Sequence, residues 1–137
     1  MRILLSLAAI GLIGATAVAA KSAGQSGRAV KEAAALEKLL ANKVAGKPQS
    51  CIQLSRIRSS QTISEKAIVY RISSNSFYVN TPRGGCTGLR DGRALITRIP
   101  TTQLCSGDIA RVVDLTLGFE GPACTLGEFT PYTKAPG

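Results

Sequence analysis

The sequence predicts a mainly β domain carrying one N-terminal helix, a small antiparallel barrel or sandwich of about five to six short strands, stapled by disulfides. Three observations lead there. Beyond residue 50, short runs rich in Val, Ile, Tyr and Phe alternate with Ser-, Gly-, Asn- and Pro-rich breaks, the texture of strands joined by turns. Before residue 46 the apolar period is three and four instead, as on one face of a helix. All four cysteines, Cys51, Cys86, Cys105 and Cys124, fall in the β-rich part.

Residues 1–20 read as an export signal peptide. Arg2 gives a positive start, residues 3–13 are nearly all apolar, and Ala17 and Ala19 (or Val18 and Ala20) offer the small side chains of a cleavage site. Half of residues 3–20 are Ala, Gly, Ser or Thr, and the run is short for a bilayer span, which argues against an anchor. Cleavage would leave 117 residues of net charge +8, since Arg2 departs and all eight acids stay. That is one small domain, expected to be soluble in the periplasm or secreted, touching a membrane only through the uncleaved signal peptide.

Residues 21–27 look like a flexible leader. Over residues 28–46 the spacing predicts an amphipathic helix, with Ala29, Ala33, Leu36, Leu40 and Val44 on one face. Ser26 suits its start, and Gly46 before Pro48 suits its end. Residues 47–133 form the β-rich domain. Its best strand is 67–72, with Ile68, Tyr70 and Ile72 on one face and Ala67, Val69 and Arg71 on the other. Residues 73–76 form a turn and 77–79 return as the hairpin partner. Further strands are expected at 94–99 and 109–117, and a last one near 126–132 that Pro131 confines to a sheet edge. Residues 134–137 are a tail.

The cysteines are spaced by 19 residues or more, with no C-x-x-C, so neither a zinc knuckle nor a redox pair is indicated. Two disulfides are expected, in one of three connectivities. The favoured one joins Cys86 to Cys105, across the 94–99 strand, and Cys51 to Cys124, tying the first strand to the last.

The chain has no His, which removes Ser-His-Asp and Cys-His catalysis and imidazole metal sites. No phosphate-binding or dinucleotide fingerprint is present, so no cofactor is implied. With no Trp and six Phe and Tyr together, it lacks the aromatic platform of a single-strand nucleic-acid binder, and nucleic acid is not expected as a partner. The charge points to anionic partners instead. Between residues 51 and 111 stand Arg56, Arg58, Arg71, Arg83, Arg90, Arg93, Arg98 and Arg111, with one Lys, against three acids. Arg56, Arg58, Arg71 and Arg98 are the candidate anion-binding residues, because planar guanidinium forks pair bidentately with carboxylate and phosphate.

Gly46-Lys47-Pro48 leading to Cys51-Ile52-x-Leu54-x-x-Ile57-Arg58-Ser59, then Leu104-Cys105-x-Gly107-Asp108-Ile109, then Cys124-x-Leu126-Gly127-x-Phe129-x-Pro131-Tyr132, resembles an uncharacterised family of small exported proteobacterial proteins. The likeness covers roughly residues 28–133. It implies export, bacterial origin and one β-rich domain, and it brings no activity, cofactor or catalytic residue. The expected function is therefore an exported non-enzymatic protein binding an anionic envelope polymer or a protein partner. The alternative is a small hydrolase of cell-wall glycan built on carboxylates drawn from Glu65, Asp91, Asp108, Asp114, Glu120 and Glu128.

Overall fold

A computed structural model describes residues 19–90 and 92–137. Most of the expected signal peptide and Asp91 lie outside the described residues. The chain runs through α1 (Ala19–Leu40), β1 (Lys43–Ala45), β2 (Cys51–Gln53), a 3-10 turn (Leu54–Arg56), β3 (Ser59–Ser64), β4 (Ala67–Arg71), β5 (Ser76–Asn80), β6 (Arg93–Thr97), β7 (Gln103–Cys105), β8 (Ile109–Asp114), β9 (Glu120–Thr125) and β10 (Phe129–Lys134). The strands form three antiparallel sheets, ordered β1-β10-β5-β4-β3, β2-β7 and β6-β8-β9. The fold is thus the expected mainly β domain with one helix, built from more and shorter strands. Three of them, β1, β2 and β7, are three residues long. Strands that short carry no readable alternation and exist because a partner supplies their ladder.

Within the five-stranded sheet β4 is buried on both faces, which is why it reads Ala-Ile-Val-Tyr without a polar break. Ile68 and Tyr70 point into the main core with Ile52, Leu104, Ala110, Val112, Leu126 and Phe129 from the other sheets and loops. Ala67 and Val69 point the other way, into a second cluster with Ile63, Phe77 and Val79, covered by Leu36, Leu39 and Leu40 of α1. The stretch 81–90 after β5 is irregular yet contributes Cys86 and Leu89, both fully buried. Its anchor is Glu65: the Glu65 carbonyl accepts from the Cys86 N–H, and its carboxylate from the Gly88 N–H at 2.6 Å.

Several expectations are corrected. Residues 21–27 belong to α1 rather than to a flexible leader, and the helix ends at Leu40, short of residue 46. Asn42, in the left-handed region at φ 60°, turns the chain out of the helix, a role its short polar side chain tolerates. Val44 consequently sits exposed on β1 and not on the helix face, where only the leucines pack. Gly46 serves β10, not the helix end: its N–H donates to the Pro131 carbonyl at 2.7 Å, and a side chain there would press on the proline ring.

Pro131 itself is not on an edge strand, because β10 lies between β1 and β5. Nitrogen and carbonyl of one residue point the same way in an antiparallel ladder. The missing N–H therefore faces the side where β1 has just ended at Ala45. The position is an edge only for that one residue.

The disulfides are Cys51–Cys105 and Cys86–Cys124, not the favoured pairing. Cys51 stands directly opposite Cys105 in the β2–β7 ladder, with Cα atoms 4.0 Å apart. Cys86 reaches Cys124 of β9 through the core, and both are buried. Two strands distant in sequence had to pair before this connectivity could be read.

Candidate anion-binding surface

Strand register gathers cations at one end of the five-stranded sheet. Lys43 of β1 is the direct partner of Lys134 of β10. Phe77 of β5 is the partner of Arg71 of β4, and the Arg71 carbonyl accepts from the Arg58 N–H at 2.8 Å, just before β3. Lys43 Nζ and Arg71 Cζ both lie over the Phe77 ring, 4.9 and 5.9 Å from its centroid. These contacts hold Lys43 and Arg71 on the helix side of the sheet. Around the corner, Arg56 and Arg58 line an open groove of about 590 Å³ with Ser55, Ile57 and Ile72.

Among the described residues none of Lys43, Arg56, Arg58, Arg71 or Lys134 forms an ion pair. Arg71 Nε donates only to the Ser73 carbonyl, at 3.3 Å. Two lysines directly opposed across a ladder repel one another and weaken it. An anion seated between them would reverse the sign of that contribution.

Of the four candidate arginines, Arg56, Arg58 and Arg71 therefore share this sheet end, while Arg98 does not. Arg98 is highly exposed just beyond β6 and lies 3.5 Å from Glu120, whose other oxygen is 3.9 Å from Arg111 Nε. Lys43 and Lys134 were invisible as site residues in the sequence. They are 91 positions apart, and Lys43 falls in the stretch read as helix.

Asp108 and Asp114 serve local structure. Asp108 Oδ2 accepts from the Cys105 N–H at 2.7 Å and closes the turn through Gly107. Asp114 Oδ1 accepts from the N–H groups of Leu117 and Thr116 and sits in a salt bridge with Arg93. The two N–H groups, with a smaller contribution from Arg93, hold its carboxyl below the usual carboxylate range. Glu32 and Glu65 line one small pocket, but together with Arg28 and Lys66. No set of three or more His, Cys, Asp or Glu side chains among the described residues is placed to hold a metal ion.

A second concavity, of about 540 Å³, opens between β3, β4 and β6. Ser60, Gln61, Thr62, Tyr70, Arg93 and Thr97 supply polar groups beside an apolar wall that includes Leu54, Ile57, Leu95 and Leu104. Burial pushes the Tyr70 phenol up to about 12, so it stays neutral. Arg93 Nε is buried with no hydrogen-bond partner.

The two disulfides fit an oxidising, extracytoplasmic compartment. No helix among the described residues is long and apolar enough to cross a membrane. No curated protein and no solved structure matches the chain. Residues 1–135 match a family of unknown function, DUF6491. The match spans the helix, all three sheets and every cysteine, and the chain belongs to that family.

Proposed function

We propose that this protein is an exported, non-enzymatic module, periplasmic or secreted, whose basic sheet end binds an acidic polymer of the cell envelope. The observation that carries the reading is the gathering of Lys43, Lys134, Arg71, Arg58 and Arg56 at one sheet end without a carboxylate partner among the described residues. Surface cations without partners attract polyanions and lend planar forks to carboxylate or phosphate. Export rests on the charge, apolar run and small residues of 1–20, and on the paired cysteines. The glycan-hydrolase alternative gains nothing from Asp108 and Asp114, since each carboxylate is engaged by its own turn.

The test is binding of the purified protein to immobilised polygalacturonate across salt. Screening shortens from about 30 Å at 0.01 M to about 3 Å at 1 M, so capture at low salt is lost as salt rises. The triple variant Arg56→Ala, Arg58→Ala, Arg71→Ala loses capture at low salt, whereas Arg98→Ala retains it. Salt-independent binding, or an equal effect of Arg98→Ala, overturns the reading.

A further inference from the structure

Five of the eight large apolar side chains that stand exposed in the described chain belong to one sheet. Ile96 and Ile109 lie on β6 and β8, and Leu115, Leu117 and Phe119 occupy the hairpin joining β8 to β9. Those three are 69, 66 and 72% exposed. Their exposure is built in, not a frayed end. Asp114 Oδ1 accepts from the Thr116 and Leu117 N–H groups, its carbonyl from the Gly118 N–H, and its own N–H donates to the Phe119 carbonyl. Gly118, at φ 72°, supplies the left-handed residue that closes the turn.

Cations alternate with the apolar residues behind this tip. Register sets Ile96 opposite Arg111, and Ile96, Arg98, Ile109, Arg111 and Glu120 border one shallow depression. Two arginines against one glutamate leave that face positive. A patch of three tip residues is small beside the roughly 800 Å² each partner gives to a stable protein interface. It suits a bilayer surface, where a few apolar side chains sink to the acyl boundary while arginines reach the phosphates above. Charge complementarity selects an anionic bilayer.

We infer that the β8–β9 hairpin is an interfacial finger that docks on anionic phospholipid, inserting Leu115, Leu117 and Phe119 with Arg98 and Arg111 at the headgroups. This contact is separate from residues 1–20 and from the basic sheet end.

The chain contains no Trp, so Phe119→Trp places a single fluorophore at the tip. With vesicles of mixed phosphatidylglycerol and phosphatidylcholine its emission shifts to the blue, and with phosphatidylcholine alone it does not. Adding Leu115→Ser and Leu117→Ser abolishes the shift, while circular dichroism shows the fold retained. Adding Arg98→Ala or Arg111→Ala instead weakens vesicle affinity at low salt by about fivefold for each arginine. Adding Arg56→Ala and Arg58→Ala leaves the shift unchanged, which keeps this outcome independent of the sheet-end reading. The inference is overturned by an absent shift, an equal shift with both vesicles, a shift that needs Arg56 and Arg58, or a lipid-free shift that grows with protein concentration, which would identify a second copy as the partner.

Discussion

The carboxamide of Asn80 and the backbone of Gly127 are joined by reciprocal hydrogen bonds. Asn80 Nδ2 donates to the Gly127 carbonyl at 2.7 Å, and the Gly127 N–H donates to Asn80 Oδ1 at 3.1 Å. Asn80 is completely buried at the end of β5 and uses its remaining donor on the Glu128 carbonyl at 3.3 Å. One side chain thus imitates a strand and satisfies backbone groups where the ladder between β5 and β10 stops. Truncation by Asn80→Ala leaves those groups buried and unpaired, and urea unfolding should report a loss of about 2–4 kcal/mol.

Gly127 is required for a different reason. A methyl group built on it would overlap the Thr81 carbonyl oxygen, which is backbone and has little freedom to move. Gly127→Ala is expected to cost about 3 kcal/mol by urea unfolding. An unchanged midpoint would show that the 81–82 backbone yields.

The disulfide pattern is interleaved, with Cys86 inside the loop closed by Cys51–Cys105 and Cys124 outside it. Non-reducing peptide mapping should recover these two bridges and no other. The loops close 54 and 38 residues of separation. By chain entropy, removing either bridge as a double Cys→Ala variant should cost about 4 kcal/mol.

Alkaline titration should expose Tyr70. Its pKa is raised in the folded state to about 12 from an ordinary 10.0, so the unfolded chain gives up that proton first. The stabilisation is complete below pH 10 and disappears as pH rises towards 12. Unfolding followed by circular dichroism should show this loss, and Tyr70→Phe should flatten it.

Lys43 and Lys134 face one another directly, so removing one charge relieves repulsion. Lys134→Thr is expected to raise stability by a few tenths of a kcal/mol at low salt, by the scale of cross-strand pairs. The same variant should bind polygalacturonate more weakly. A residue that costs stability and supports binding would mark the sheet end as functional.

Much of the architecture was legible because local pattern carries it. The β-branched and aromatic runs at 67–71 and 77–79, the three-and-four spacing of Leu36 and Leu40, and the turn residues at 73–76 each depend on near neighbours. The paired state of the cysteines followed from their number and context. The helix end did not follow, because Gly46 and Pro48 were stronger punctuation than Asn42, and only pairing with β10 draws residues 43–45 into a strand.

The sequence by itself determined the class of fold, the surplus of arginine and the absence of imidazole chemistry, all of which are sums over composition or short windows. Tertiary structure alone decided which cysteines met, that β10 lies inside its sheet, and that a buried Asn holds Gly127. It also decided which cations became neighbours: Lys43 joined Lys134 and Arg71 around Phe77, while Arg98 went to Glu120. Those outcomes depend on register between strands far apart in the chain. A one-residue slip in any pairing would turn those side chains to the other face, and no local window encodes that choice.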